Sequence, residues 1–360
     1  MRRRQRRRLL WLTGLGLVAV AVVLIVTVVD GDDPPTEADD NTTENTEPKE
    51  LAHVDSGGRP NGRDDGGTTE PAPTPSPTVP PADPPLDAAK ARRSFEQGLA
   101  LVEREQLVAA RTLLSAAVFS EHLSDDQADE ARRVLWRLAQ QTIFSPRAYR
   151  DDPYTLMHRF ERGDRLADKR VNGKTVPGIV NGQDLRVPST AILMANGVSA
   201  KELQAGKSYK LIRGPFHVTV HKDAFVMDVF LQRAGEDWPR TFIRRLPVGL
   251  GKNGSTPVGS WLVDDKSRRA TWYPPPETKL PSPIRYGHPE YAFGRKGLWI
   301  GMKGIDANTR THDGYGIHST NDPESIGTES SLGCIRLADG GIEFVYNVLY
   351  EGHSTVYIRP

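Results

Sequence analysis

Apolar residues change their spacing along this chain, and each change predicts a different kind of element. Residues 9–29 are apolar without interruption apart from Thr13 and small residues. At about 1.5 Å of rise per residue, such a run crosses the roughly 30 Å hydrocarbon core of a bilayer, which predicts an N-terminal transmembrane helix. Residues 30–85 carry no apolar period. Between Leu86 and Phe144 the apolar residues return at helical spacing: Phe95, Leu99 and Val102, then Ala110, Leu113, Leu114 and Ala117, then Ala131, Val134, Leu135 and Leu138. Three short helices over 86–145 are predicted, a small α-helical region. From Phe216 the pattern becomes strand-like, over 216–221, 224–232, 241–250 and 259–263, with 251–257 as a turn, so a mainly-β domain is predicted over 216–360.

Composition alters this picture mostly at the N-terminal end. The formal net charge is only +1 over 360 residues, yet six arginines lie between Arg2 and Arg8 and residues 30–83 are acidic. Arginines beside an apolar span stay on the cytoplasmic side. Residues 1–8 are therefore expected in the cytoplasm and the rest on the periplasmic or extracytoplasmic side of a single-pass membrane protein. A cleaved signal peptide is the competing reading, but its apolar run is shorter and no small-x-small cleavage site follows here. Residues 30–85 are rich in Asp, Glu, Thr, Gly and Pro and hold too few apolar groups to repay ordering, so they are expected to act as a tether. No basic patch with interleaved aromatics is present, and no nucleic-acid partner is expected.

The chain has one cysteine, Cys334, so no internal disulfide framework is available. A free thiol facing an oxidising space is a liability unless it is buried or used. Its surroundings suggest use: Tyr315-Gly316-Ile317-His318-Ser319 is followed, with fifteen residues between His318 and Cys334, by Ser331-Leu332-Gly333-Cys334-Ile335-Arg336. A thiol attacks a carbonyl as its thiolate and needs a base to take its proton, for which His318 is the candidate. The oxyanion that forms needs donors already aimed at it, and Gly333 permits a turn presenting the amides of Gly333 and Cys334 to one point. Either residue alone has an ordinary explanation, a buried inert cysteine or a strand histidine. His312-Asp313 lacks further ligands at recognisable spacing, so no metal is expected. The long proline-rich loop 272–289 is a candidate lid over the cleft.

These two motifs, with Thr256-Pro257-Val258-Gly259 upstream and Leu298-Trp299-Ile300-Gly301, resemble the active-site signature of the L,D-transpeptidases of the YkuD family. The resemblance covers about 40% of the chain. It implies a Cys334 nucleophile, a His318 base held by the backbone carbonyl of Ser319, where many relatives have glycine, and no cofactor. Arg336 would hold the loop or attract a substrate carboxylate, Ser331 would orient the loop, and Trp299 and Tyr315 would line the substrate groove. The implied substrates are peptidoglycan stem peptides: Cys334 displaces D-alanine from a tetrapeptide stem, and an amine resolves the thioester. An L,D-carboxypeptidase, in which water resolves it, and a non-catalytic wall-binding scaffold are the alternatives.

Two further resemblances lie upstream. Tyr154-Thr155, Gly163-Asp164 with Leu166, residues 192–197 ending in Asn196-Gly197, and residues 203–211 around Gly206 resemble a LysM module, an α+β fold that grips peptidoglycan glycan, over 154–213. It carries an insert at 171–184 that reads as a hairpin or loop. The phrase Ser94-Phe95-Glu96-Gln97-Gly98-Leu99 with Ala109, Ala110 and Leu114 resembles a tetratricopeptide-type hairpin, which implies a protein partner at the helical region; a plain helical spacer is the alternative. The chain is thus expected to be multidomain.

Overall fold

Three helices open the described part of the chain: α1 (Ala88–Glu103), α2 (Leu107–Phe119) and α3 (Asp125–Thr142). The structure, a computed structural model, describes residues 86–360 apart from Gly173. The expected cytoplasmic segment, transmembrane helix and tether lie outside the described residues, among which no helix is long and apolar enough to cross a membrane. Asp87 starts α1 by accepting the Lys90 amide, and Ser124 with Gln127 forms a capping box on α3. Gly98 lets α1 and α2 approach closely, since a Cβ there would stand 2.6 Å from Leu114 Cγ. Of the expected core positions, Phe95, Ala110, Leu114, Ala117, Ala131, Val134, Leu135 and Leu138 are buried. Leu99, Val102 and Leu113 are instead only half-buried, Leu113 at a cleft that it shares with Leu107 and Tyr149.

The next segment runs β1 (Thr155–Arg159), the hairpin β2 (Lys169–Val171) and β3 (Lys174–Val176), α4 (Ile179–Gly182), α5 (Ser189–Asn196) and β4 (Ser208–Ile212). β1 and β4 pair antiparallel, Thr155 opposite Ile212. The turn at Gly163-Asp164 does not lead into a helix at Leu166 as expected. The hairpin β2–β3 comes first, and the helix forms within the insert as the single turn α4, because Asp168 accepts the Gly178 amide and the Asn181 side chain and so fixes the turn there. Asn196 ends α5 and clamps it to β4: its side-chain amide donates to Ile192 O and Lys210 O while its oxygen accepts the Lys210 amide. Gly197 follows in the left-handed conformation that closes many helices (φ 61°).

The remaining elements are β5 (Phe216–His221), β6 (Val226–Leu231), β7 (Thr241–Pro247), β8 (Leu250–Gly251), β9 (Gly259–Arg268), β10 (Leu298–Gly304), β11 (Gly316–Ser319), β12 (Glu329–Ser331), β13 (Ile335–Leu337), α6 (Asp339–Val348) and β14 (Thr355–Arg359). Eight of these strands form a mixed sheet in the order β13-β11-β10-β9-β14-β5-β6-β7, and β8 pairs separately with β12. This is a mainly-β domain with few helices. Strands β5 and β6 are buried along nearly their whole length because both faces of the sheet are covered.

The segments that differ in sequence share their cores. Phe242 of β7 packs among the helices, and its amide donates to Ser115 Oγ at 3.0 Å. Ile143 and Tyr154 join the large core around the sheet, and Phe144 stacks on Phe216 at 5.9 Å. At the junction Arg111, fully buried, donates to both oxygens of Asp152 (2.9 and 2.8 Å) and to Thr142 Oγ1. The ammonium of Lys210, also fully buried, donates to Thr142 O and Arg147 O, and burial pulls its pKa down to about 8.

Candidate active site

His318 lies on β11 between two antiparallel-to-parallel neighbours. β10 pairs on one side, with Trp299 opposite His318; β13 pairs on the other, parallel, with Arg336 opposite His318. Cys334 stands one residue before β13, in the row of Gly316. With strands about 4.8 Å apart and a rise of about 3.3 Å per residue, this register sets the Cα atoms of Cys334 and His318 about 8 Å apart, within reach of two facing side chains. The Gly316 amide hydrogen-bonds the Cys334 sulfur, and the thiol lies 3.8 Å from Gly314 O.

The histidine tautomer follows from one contact. His318 Nδ1 lies 2.6 Å from the Ser319 carbonyl oxygen, which can only accept, so Nδ1 carries the proton and Nε2 is the bare nitrogen. The Ser319 hydroxyl, for its part, donates to Phe293 O at 2.6 Å. Phe293 and Trp299 pack against the imidazole at centroid distances of 4.9 and 6.1 Å, leaving His318 4% exposed.

The cysteine loop is held from three directions. Ser331 Oγ donates to Cys334 O at 2.7 Å and accepts the Gly333 amide at 3.1 Å. Thr256, far upstream and fully buried, donates to Gly333 O at 2.9 Å while accepting the Gly251 amide. Gly333 sits at φ 135°, and a Cβ there would lie 2.7 Å from the Tyr315 ring, so only glycine fits. The Gly333 amide, expected to aim at an oxyanion, is engaged by Ser331 instead, because the loop closes on its own serine. Arg336 donates to Ser330 Oγ at 3.3 Å.

Residues 215–358 match the family model YkuD, described as the L,D-transpeptidase catalytic domain. This part of the chain is an L,D-transpeptidase catalytic domain of the YkuD family. Over 112 residues the chain is 30% identical to the probable L,D-transpeptidase ErfK/SrfK of Escherichia coli (strain K12), covering 28% of this chain and 32% of that protein. It is 27% identical over 177 residues to the L,D-transpeptidase candidate YkuD of Bacillus subtilis (strain 168), covering 47% of this chain and 85% of that one. The chain thus spans about a third of ErfK/SrfK and most of YkuD. An L,D-transpeptidase structure from Mycobacterium smegmatis is 18% identical, with 43% of this chain and 64% of that chain covered at a TM-score of 0.28, too low for an argument from shape.

Within the L,D-transpeptidase domain, burial sets the resting charge state. It pushes the Cys334 thiol up to about 11, against the Gly316 amide and the Arg336 charge, which pull it down. Burial pulls His318 down to about 4, against the Ser319 carbonyl. At neutral pH both groups are therefore uncharged. Burial also pushes the Tyr315 phenol up, with the cysteine as the second cause. Tyr315 packs on Gly333 and Trp261, while His312 lies against the same two rings.

Sequence reasoning missed Phe293, Ser325 and the structural part played by Thr256. Phe293 arrives with Ile284 and Tyr291 in a small core under the proline-rich loop, where Trp272 pairs with Ile284. The residues that follow the loop expected as a lid are pinned beside the histidine: Asn321 donates to Tyr291 O at 2.7 Å, and a Cβ on Gly294 would lie 2.9 Å from the Thr320 nitrogen. Ser325, fully enclosed in the loop between the two motifs, donates to Asp322 O and helps shape that turn. No periodicity marks Phe293, because it reaches the site from a loop.

Proposed function

We propose that this protein cross-links or modifies peptidoglycan tetrapeptide stems by L,D-transpeptidation, with Cys334 as nucleophile. The observation that carries the reading is the single tautomer of His318, which leaves Nε2 free to take the thiol proton across the strand pair from Cys334. Attack of sulfur on the carbonyl before the terminal D-alanine forms a C–S bond; the proton held by His318 returns to the amine as D-alanine leaves. An acceptor amine then attacks the thioester, releases the thiol and forms the new amide. Because both groups rest uncharged, proton transfer accompanies the attack rather than preceding it. The Cys334 amide is the oxyanion donor, and Gly333 joins it once substrate displaces its bond to Ser331. Arg336, close enough to act on Cys334 electrostatically, supplies positive potential beside the sulfur.

The rest of the chain serves placement in this reading. The arginines of residues 2–8 and the apolar run 9–29 support a membrane anchor with the catalytic domain on the extracytoplasmic side. The unit over 154–213, in which β1 and β4 pair around a hairpin and two helices and Asn196 clamps the second helix, is proposed to hold glycan, and the cleft lined by Leu107, Leu113 and Tyr149 to face a protein partner.

Intact mass spectrometry of the full-length chain with a disaccharide-tetrapeptide tests this, alongside Cys334→Ala. A transient adduct on the wild type, free D-alanine and a cross-linked dimer are expected, all absent from Cys334→Ala. D-alanine without dimer would point to a carboxypeptidase. No adduct and no turnover in folded protein, with binding to insoluble peptidoglycan retained, would identify a scaffold.

A further inference from the structure

Two glycines floor the sheet beside the thiol. Cross-strand pairing sets Asp265 of β9, Gly301 of β10 and Gly316 of β11 in one row that ends at Cys334. Side chains paired across a sheet share a face, so Trp299, two residues from Gly301, points to the same side as Asp265 and His318. The indole lies over this floor. A Cβ on Gly316 would stand 2.5 Å from Trp299 Cη2; one on Gly301 would overlap the Asp265 carboxylate and lie 3.1 Å from Trp299 Nε1. Asp265 Oδ1 and the indole Nε1 thus meet over the same glycine, and while burial and the Asp264 charge push the Asp265 carboxyl up, the indole N–H pulls it down. From the other side Phe293 stacks on the indole at 4.9 Å and 28°, and the indole in turn runs within 21° of parallel to the His318 ring.

We propose that Asp265 is a positioning residue for the thiol and imidazole pair: its carboxylate fixes the Trp299 indole, and the indole, wedged with Phe293, fixes the plane of His318. Among the described residues the indole has no other anchor of this kind at its polar edge, and its benzo edge covers Gly316, whose amide faces the Cys334 sulfur. A tilt of the indole therefore displaces both reacting groups. The proposal rests on the acyl-transfer reading above.

The test uses the full-length chain as Asp265→Ala, Asp265→Leu, Asp265→Asn, Trp299→Phe and the pair Asp265→Ala/Trp299→Phe. D-alanine release from a disaccharide-tetrapeptide gives kcat and KM, and the Trp299 indole proton, assigned by its loss in Trp299→Phe, reports on the hydrogen bond. Asp265→Ala is expected to lower kcat about tenfold with KM nearly unchanged, on the scale by which misplacing a reacting group slows a reaction. Asp265→Asn, which keeps an oxygen acceptor, recovers most of the loss; the double variant is no slower than Trp299→Phe; and the indole proton moves upfield in Asp265→Ala. Asp265→Leu, close in shape but without an acceptor, replaces the alanine variant if that one does not fold, and unfolding of both overturns the proposal in favour of a purely structural role. Unchanged kcat, losses that multiply in the double variant, or an unmoved indole proton also overturn it. A wild type that releases no D-alanine overturns the transpeptidase reading and this proposal together, whereas an active wild type matched by Asp265→Ala overturns this proposal alone.

Discussion

At the junction between the helices and β4, Arg111, Asp152 and Lys210 are buried with most of their bonding capacity met: one carboxylate held by a bidentate ion pair, a hydroxyl and two carbonyls accept from the two cations, leaving only Arg111 Nε over. At the other end of the sheet His318 and Cys334 are also enclosed, but each is left short. His318 has one nitrogen bonded and one bare, and Cys334 has an amide donor but rests as a thiol. The contrast separates two uses of burial. Matched groups lock one arrangement, because breaking any contact strands a charge in a low dielectric. Unmatched groups keep bonding capacity in reserve for a molecule that brings its own partner.

The sharpest way to break the comparison is at the junction. Asp152→Ala leaves Arg111 and Lys210 buried without their anion, and a loss of about 3–5 kcal/mol is expected. Denaturant unfolding measures it, and kcat per folded molecule should stay near wild type. A loss under about 1 kcal/mol would show that the junction tolerates an unmatched charge as the site does.

A smaller effect is expected at the thiol. Because burial raises its pKa from 9.0 to about 11, Cys334 holds about a hundredfold less thiolate at neutral pH than an ordinary cysteine. Alkylation by iodoacetamide should accordingly be about a hundredfold slow at pH 7 and climb about tenfold per pH unit towards 11, since a raised pKa keeps the reactive form scarce until the pH reaches it. Fast alkylation, flat between pH 7 and 9, would mean a preformed thiolate and imidazolium pair.

The smallest effect concerns the loop. Ser331→Ala removes one donor and one acceptor from the turn that carries Cys334, and about a tenfold slower acylation is expected from the stranded Gly333 amide and Cys334 carbonyl. Stopped-flow acylation would register it. A faster variant would instead mean that Ser331 withholds the Gly333 amide from the oxyanion.

Much of the site was legible because its parts lie in two short motifs whose residue types are demanded by thiol chemistry. His318, Cys334 and the glycine turn could be named from local sequence and the Ser319 carbonyl from the family resemblance, and the strands that hold them alternate visibly. The residues around them could not. Phe293 comes from an aperiodic loop, Asp265 is one of two exposed acids that only the strand register sets opposite Gly301, and Thr256 looks like part of an ordinary turn until its hydroxyl is found between Gly251 and Gly333. The helix expected at Leu166 was displaced because the hydrogen bonds of Asp168 to residues ten and thirteen positions away outweigh local turn chemistry.

Local sequence by itself determined where most helices and strands form and which two side chains are the candidates for reactive chemistry, because periodicity and residue type are properties of neighbours in the chain. Tertiary structure decided the imidazole's environment, the thiol's charge and the sharing of one core by segments that differ in composition. Those depend on what desolvates each group and on which distant carbonyl or carboxylate meets it, and contacts of that kind exist only once β9, β10, β11 and β13 lie side by side.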